Sequence, residues 1–154
     1  MNRNQCLNAD WYAVGVEDGA RGRPVERLGD HRRACAEYNI APDPARYLAG
    51  RNEGLKSFCT YERGFSEGRG GNAYVAACPA PGASAFLAGY NRGRELHDLH
   101  QRLDEVERDI GNIKGAITKG IPDARVRAGE LERLEALTRE SEALQARISQ
   151  AEPR

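Results

Sequence analysis

Apolar residues in the last third of the chain recur at alternating intervals of three and four: Leu96, Leu99, Leu103, Val106, Ile110, Ile113 and Ile117. This is the a/d spacing of a coiled-coil seam, and it predicts one long helix, capped by Ser84 and beginning at Ala85-Phe86-Leu87. Gly120-Ile121-Pro122-Asp123 supplies a stop and a fresh cap. A second amphipathic stretch follows, carrying Leu131, Leu134, Leu137, Leu144 and Ile148. The short connection with its proline predicts an antiparallel helical hairpin rather than one continuous rod. In the register of Leu134 and Leu137, Arg127 and Ser141 fall at a-type positions, and Gly111 and Gly115 interrupt the first arm. Each glycine costs up to about 1 kcal/mol relative to alanine. A hairpin this thin is expected to lean on a partner or on a second copy of itself. The contact seam would be Leu99, Leu103, Val106, Ile110 and Ile113. Pairs such as Asp98–Arg102, Asp104–Arg108 and Glu135–Arg139 stand at i,i+4 and suit exposed faces.

Upstream the pattern is shorter. Asp10 caps a helix from Trp11 to about Ala20, broken by Gly22-Arg23-Pro24. Arg27 to Asn39 reads as a second helix, with Leu28, Cys35 and Tyr38 near one face. Asp43 caps a third, with Pro44 at its first position, running from Ala45 to about Phe58. Residues 60–83 are rich in glycine and are expected to hold only short turns, one of them at Ala73–Cys78. The chain therefore reads as all-α. A glycine-rich helical domain over 1–83 precedes a long antiparallel hairpin over 84–152.

The first domain repeats a phrase: an aromatic, two residues, glycine, three residues, glycine. It occurs as Tyr12-x2-Gly15-x3-Gly19, Tyr47-x2-Gly50-x3-Gly54 and Phe86-x2-Gly89-x3-Gly93, with a degraded copy at Phe65-x2-Gly68. Glycine inside a helix is unfavourable, so matched copies need a reason. Two glycines at i,i+4 strip side chains from one helical face and let a neighbour approach closely. The aromatic lies on nearly the same stripe, so each ring is expected to pack over a neighbouring glycine face. Trp11, Tyr12, Tyr47 and Phe86 would be the ribs of this packing.

Cysteine usage bears on the compartment. Cys6, Cys35, Cys59 and Cys78 are spaced by 29, 24 and 19 residues, and no C-x2–4-C pair of a zinc site is present. An even count in a chain with one Trp, three Phe and 17 Gly suits two disulfides in an oxidising space. Three connectivities are open. Such bridges stabilise by roughly 2–4 kcal/mol each, which matters where the core is lean.

Charge adds little. The 23 basic and 23 acidic residues balance, leaving no basic footprint for nucleic acid. No run of about 18 apolar residues would span a membrane. The opening Met1-Asn-Arg-Asn-Gln has no apolar core of a signal peptide, and Asn4-Gln5 is a poor approach to a lipidated Cys6. A lipid anchor would belong to a longer precursor.

Candidate chemistry is sparse. His97, His100 and Asp104 lie along a helix but fall at outward or flanking heptad positions, so a solvated face is the expectation and no metal or other cofactor is assigned. His31 precedes Cys35 by four, as in a Cys–His pair, but a disulfide would consume the thiol. One of Glu17 and Asp18 is expected to accept from an arginine such as Arg21 or Arg23 in a structural role. The G-x-S-x-G, H-E-x-x-H and EF-hand patterns are absent, and Gly68-Arg-Gly-Gly-Asn lacks the lysine of a phosphate loop. No catalytic residue is assigned.

The run Cys6-x4-Trp11-x3-Gly15-x2-Asp18-Gly19-x2-Gly22 continues through His31-x3-Cys35 and Tyr47-x2-Gly50-x3-Gly54-Leu55. Phe58-Cys59, Gly64, Gly68, Gly71, Tyr74, Cys78-Pro79, Phe86, Tyr90 and Gly93 complete it. Over Cys6 to about Leu99 the sequence resembles an uncharacterised family of proteobacterial envelope proteins, a domain of unknown function often made as small lipoproteins. The resemblance implies a periplasmic or outer-membrane-associated protein of a Gram-negative bacterium, and oxidised cysteines, but no activity. The expected role is a non-catalytic scaffold or interaction module that self-associates or grips a protein partner through its hairpin. The alternative is a module binding an envelope glycan or peptide with aromatics beside glycine-lined helix faces.

Overall fold

A computed structural model describes residues 1–74 and 76–152. Seven helices are found among them and no strand: α1 (Arg3–Leu7), α2 (Trp11–Ala20), α3 (Arg27–Ala36), α4 (Pro44–Phe58), α5 (Tyr61–Arg69), α6 (Gly82–Lys119) and α7 (Ala124–Ala151). The chain divides into two compact units, Met1–Gly93 and Arg94–Arg154. The division falls inside α6, later than the 83/84 boundary drawn from sequence. The reason is that Phe86, Gly89 and Gly93 pack on α5 and so belong to the first unit.

The caps follow the sequence. The side chains of Asp10, Asp43 and Asp123 accept from the first-turn amides of α2, α4 and α7, and Pro44 opens α4. Ser84 does not cap α6. It lies within the first turn, where its hydroxyl donates to the Pro81 carbonyl, because the helix already begins at Gly82.

The first unit is built from two glycine-zipped helix pairs. A Cβ built on Gly15 would stand 2.1 Å from the Tyr47 carbonyl oxygen, and one on Gly19 2.2 Å from that of Arg51. Reciprocally, Gly50 meets the Tyr12 carbonyl at 2.0 Å and Gly54 that of Val16 at 2.1 Å. Contacts advance together along both helices, so α2 and α4 run parallel. In α5 and α6, Gly64 meets the Phe86 carbonyl, Gly89 that of Tyr61 and Gly93 that of Phe65, again in parallel order. Each glycine thus turns a Cα–H toward a carbonyl of the facing helix, a weak hydrogen bond that exists only while no side chain intervenes.

This geometry corrects two sequence expectations. Residues 61–69 form a regular helix, α5, and the fourth copy of the phrase is complete as Tyr61-x2-Gly64-x3-Gly68 rather than degraded at Phe65. Tertiary contact outweighs the helix penalty of glycine here. Secondly, the glycine faces receive backbone, not rings. Tyr47 and Phe86, on the second helix of each pair, are buried, as is Trp11, whereas Tyr12 is 40% exposed and Tyr61 43%. Tyr12 meets Gly50 through its backbone. A ring does lie over glycine where Phe58 packs on Gly22, which adopts φ +66°.

Two disulfides close the pairs at matching places: Cys6–Cys35 and Cys59–Cys78. Each joins the segment entering the first helix of a pair to the segment leading into the second. Parallel helices put those entry points side by side, so each bridge staples the two N-terminal ends. The connection between α2 and α4 contains α3, while the stretch expected to turn at Ala73–Cys78 holds no helix among its described residues, Val75 lying outside them.

The second unit contains α6 from Arg94 onward and α7. Leu96, Leu99, Val106 and Ile113 are buried on one helix, and Ser141, Leu144, Ile148 and Ala151 on the other. Gly120, at φ +89°, ends α6 and lets the chain reverse. The arms are antiparallel, since Arg102 pairs with Glu140 at 2.8 Å and Arg133 with Asp109 at 3.4 Å. Asp98 pairs with Arg94, and Arg102 turns to Glu105 and Glu140 in place of Asp98. Arg127 donates to the Ile121 carbonyl across the turn and does not enter the seam.

Candidate functional site

The most organised polar group in the first unit lies against Trp11 and Tyr47. Asp18 stands seven residues after Trp11, on the face of α2 that turns inward, and only 7% of it is exposed. A carboxylate there must be paired or hydrogen-bonded. Its Oδ2 accepts from the Tyr47 hydroxyl at 2.8 Å and lies 2.8 Å from His31 Nε2. The imidazole sits between two rings, with centroids 6.1 Å from Trp11 and 5.8 Å from Tyr47. His31 is held in place by α3, which Cys35, one turn on, anchors to Cys6. Trp11, Tyr47, Cys6 and Cys35 form one apolar cluster around this group.

The electrostatics make the group structural. Burial, the hydrogen bond to Asp18 and the Asp18 charge together push the Tyr47 phenol well above its ordinary range, while Arg51 and Arg27 oppose this weakly. Tyr47 is therefore a neutral donor at every physiological pH. Arg51, also buried, donates through Nε and Nη2 to the Arg23 carbonyl at 3.1 and 2.7 Å, fixing the turn after Gly22. The second pair repeats this device with different chemistry. The Tyr90 hydroxyl donates to the Asn72 carbonyl at 2.7 Å, just after Gly71, whose φ is +72°. Arg51 and Tyr90 each follow the first zipper glycine of their helix, as Arg23 and Asn72 each follow a left-handed glycine.

The residues singled out from sequence are distributed as follows. All four cysteines are oxidised, so no Cys35 thiol is present to pair with His31. Glu17 is the carboxylate that takes an arginine, Arg21 at 2.8 Å, while Asp18 takes His31 and Tyr47. His97 approaches Gln101 at 2.9 Å, and no cluster of three metal-ligating side chains is found among the described residues. Along the seam, Leu99, Val106 and Ile113 are buried, and Leu103 and Ile110 are half-buried. The glycine faces expected to border a glycan or peptide site are filled by backbone.

Sequence reading missed the Asp18–His31–Tyr47 group. Its signal was the interval of seven between Trp11 and Asp18, which places a carboxylate on an apolar face and demands donors from elsewhere. It also missed the ring cluster of the second pair. Phe58 stacks on Phe86 at 5.0 Å, and Tyr74 lies 5.4 Å from Tyr90 and 6.4 Å from Phe86.

A family model described as a protein of unknown function, DUF2799, matches residues 10–95. The match begins at the cap of α2 and ends just past Gly93, so it spans both zipped pairs. No curated protein and no solved structure matches the chain.

Proposed function

We propose that this chain, which belongs to the DUF2799 family of proteins of unknown function, is a non-catalytic interaction module of the periplasm or outer membrane of a Gram-negative bacterium, and that it self-associates through its hairpin. Support for the compartment is the pair of disulfides, which form and persist in oxidising spaces. No helix among the described residues is long and apolar enough to cross a membrane.

The observation that carries the reading is the apolar surface left part-covered along the hairpin's own seam. Two helices bury one seam, and here that seam takes Leu99, Val106, Ile113, Leu144 and Ile148. Leu103, Ile110, Ile117, Leu134 and Leu137 stay half-buried, and Leu131 is 45% exposed. Part-covered apolar surface of this kind is what a second hairpin covers in a four-helix arrangement. Against catalysis, the buried Asp18–His31–Tyr47 group commits a single carboxylate oxygen to two partners and holds its phenol neutral.

Light scattering after gel filtration tests the reading. A dimer is expected, with Ile110→Glu and Leu131→Glu reducing it to monomer at unchanged helicity. A native protein that stays monomeric at high concentration overturns it.

A further inference from the structure

The first zipped pair has its inward face covered by α3, which lays His31 against Asp18, Trp11 and Tyr47. The second pair has no helix among the described residues of the equivalent connection, and there a cavity of about 150 Å³ stays open. Phe58, Phe86, Tyr74 and Tyr90 line it together with Arg21 and Arg23.

Its size and charge select a ligand. Small-molecule sites enclose about 300–1,000 Å³, so this cavity takes one side chain rather than a whole metabolite. Its walls are aromatic and suit an apolar or ring-bearing side chain. At the rim, Glu17 neutralises Arg21, and both Glu67 oxygens are engaged, Oε1 by Arg63 at 2.8 Å and Oε2 by the Asn72 amide at 2.7 Å. The Arg23 guanidinium has no acidic partner among the described residues, while its own carbonyl is fixed by Arg51. The rim therefore offers a cation beside the aromatic walls, and a guanidinium recognises a carboxylate by paired hydrogen bonds.

We propose that this cavity anchors the C-terminal residue of a peptide chain, its apolar side chain among the four rings and its terminal carboxylate on Arg23. The site is independent of the hairpin and of self-association.

Titration of the full-length oxidised protein with N-acetyl-Gly-Phe, followed by the ring-proton resonances of Tyr74 and Tyr90, tests this. Saturation is expected below about 10 mM, as suits a single-residue anchor. The C-terminal amide of the same peptide and the Arg23→Ala variant should each bind at least about fivefold more weakly. Tyr74→Ala, at a position 43% exposed, should weaken binding similarly, and Arg32→Ala, at an exposed position of α3 outside the cavity's lining, should leave it unchanged. 3-Phenylpropionate, which has ring and carboxylate but no peptide group, should bind more weakly than the peptide acid. Equal binding of acid and amide, shifts that do not saturate, an unaffected Arg23→Ala variant, or tighter binding of 3-phenylpropionate than of the peptide each overturns the proposal.

Discussion

Gly50 lies directly beneath the carbonyl of Tyr12, so close that a Cβ on Gly50 would stand 2.0 Å from that oxygen and 2.8 Å from its carbon. The mirror contact, Gly15 on the Tyr47 carbonyl, gives the two helices one shared geometry. Neither obstacle is a flexible side chain, so a methyl group can be admitted only by moving a helix. Gly50→Ala is expected to destabilise the protein by about 3 kcal/mol or more, the upper range for overpacking.

The same substitution should change sign in the hairpin. Gly111 and Gly115 are exposed in α6 and nothing lies within 4 Å of a built Cβ. There only helix propensity acts, and Gly111→Ala should stabilise by about 1 kcal/mol. Denaturant melts of both variants check the pair. Equal effects would mean that the zipper contacts carry no weight.

The contrast explains what was legible in the sequence. Matched glycines announced close helix contact, and Asp10, Asp43, Pro44 and Asp123 announced helix starts, because these signals are local. What each glycine meets is a nonlocal fact: the Tyr12 carbonyl is brought to Gly50 by a crossover through α3. Residues of α5 read as no more than short helical turns because Gly64 and Gly68 argue against a regular helix when taken alone, and only Gly89 and Gly93 on α6 repay them. The Asp18–His31 contact was hidden for the same reason, since it joins α2 to a helix whose position the Cys6–Cys35 bridge sets.

Tyr47 supplies a pH signature. Its folded phenol titrates above the ordinary value of about 10, so the folded state holds a proton that the unfolded chain releases first. The resulting stabilisation is complete below pH 10 and is lost as the pH rises beyond it. Tyr47→Phe should cost about 1–2 kcal/mol at neutral pH, from the lost hydrogen bond to Asp18. The gap between the two proteins should then narrow above pH 10. Urea melts followed by circular dichroism across pH 7–11 test this, and a gap independent of pH would assign Tyr47 no coupled proton.

Burial separates the two halves of the hairpin's apolar set. Ile113 is 5% exposed and Leu131 45%. Ile113→Ala should cost about 2–4 kcal/mol through transfer and cavity terms. Leu131→Ala should stay within about 0.5 kcal/mol of the native protein in dilute solution, where no second hairpin covers it. Thermal melts at two concentrations separate a core role from a contact role for Leu131: a loss seen only at high concentration marks contact, and a loss at both marks core.

The two disulfides occupy matching places but unlike surroundings. Cys6 and Cys35 are 2% and 0% exposed within the Trp11–Tyr47 cluster, whereas Cys59 and Cys78 are both half-buried beside an open stretch of chain. Thiol–disulfide exchange needs a thiolate to reach a sulfur, so access sets the order of reduction. Cys59–Cys78 should open first under graded dithiothreitol, freeing the entry of α6 from that of α5 while the first pair stays closed. Cys6–Cys35 should yield only once α3 lifts from Asp18 and Tyr47, which requires the first pair to unfold. Alkylation at each step, followed by peptide mapping, reads the order directly. Simultaneous loss of both bridges would show that the two helix pairs unfold as one cooperative block, and earlier loss of Cys6–Cys35 would contradict the burial on which the order rests.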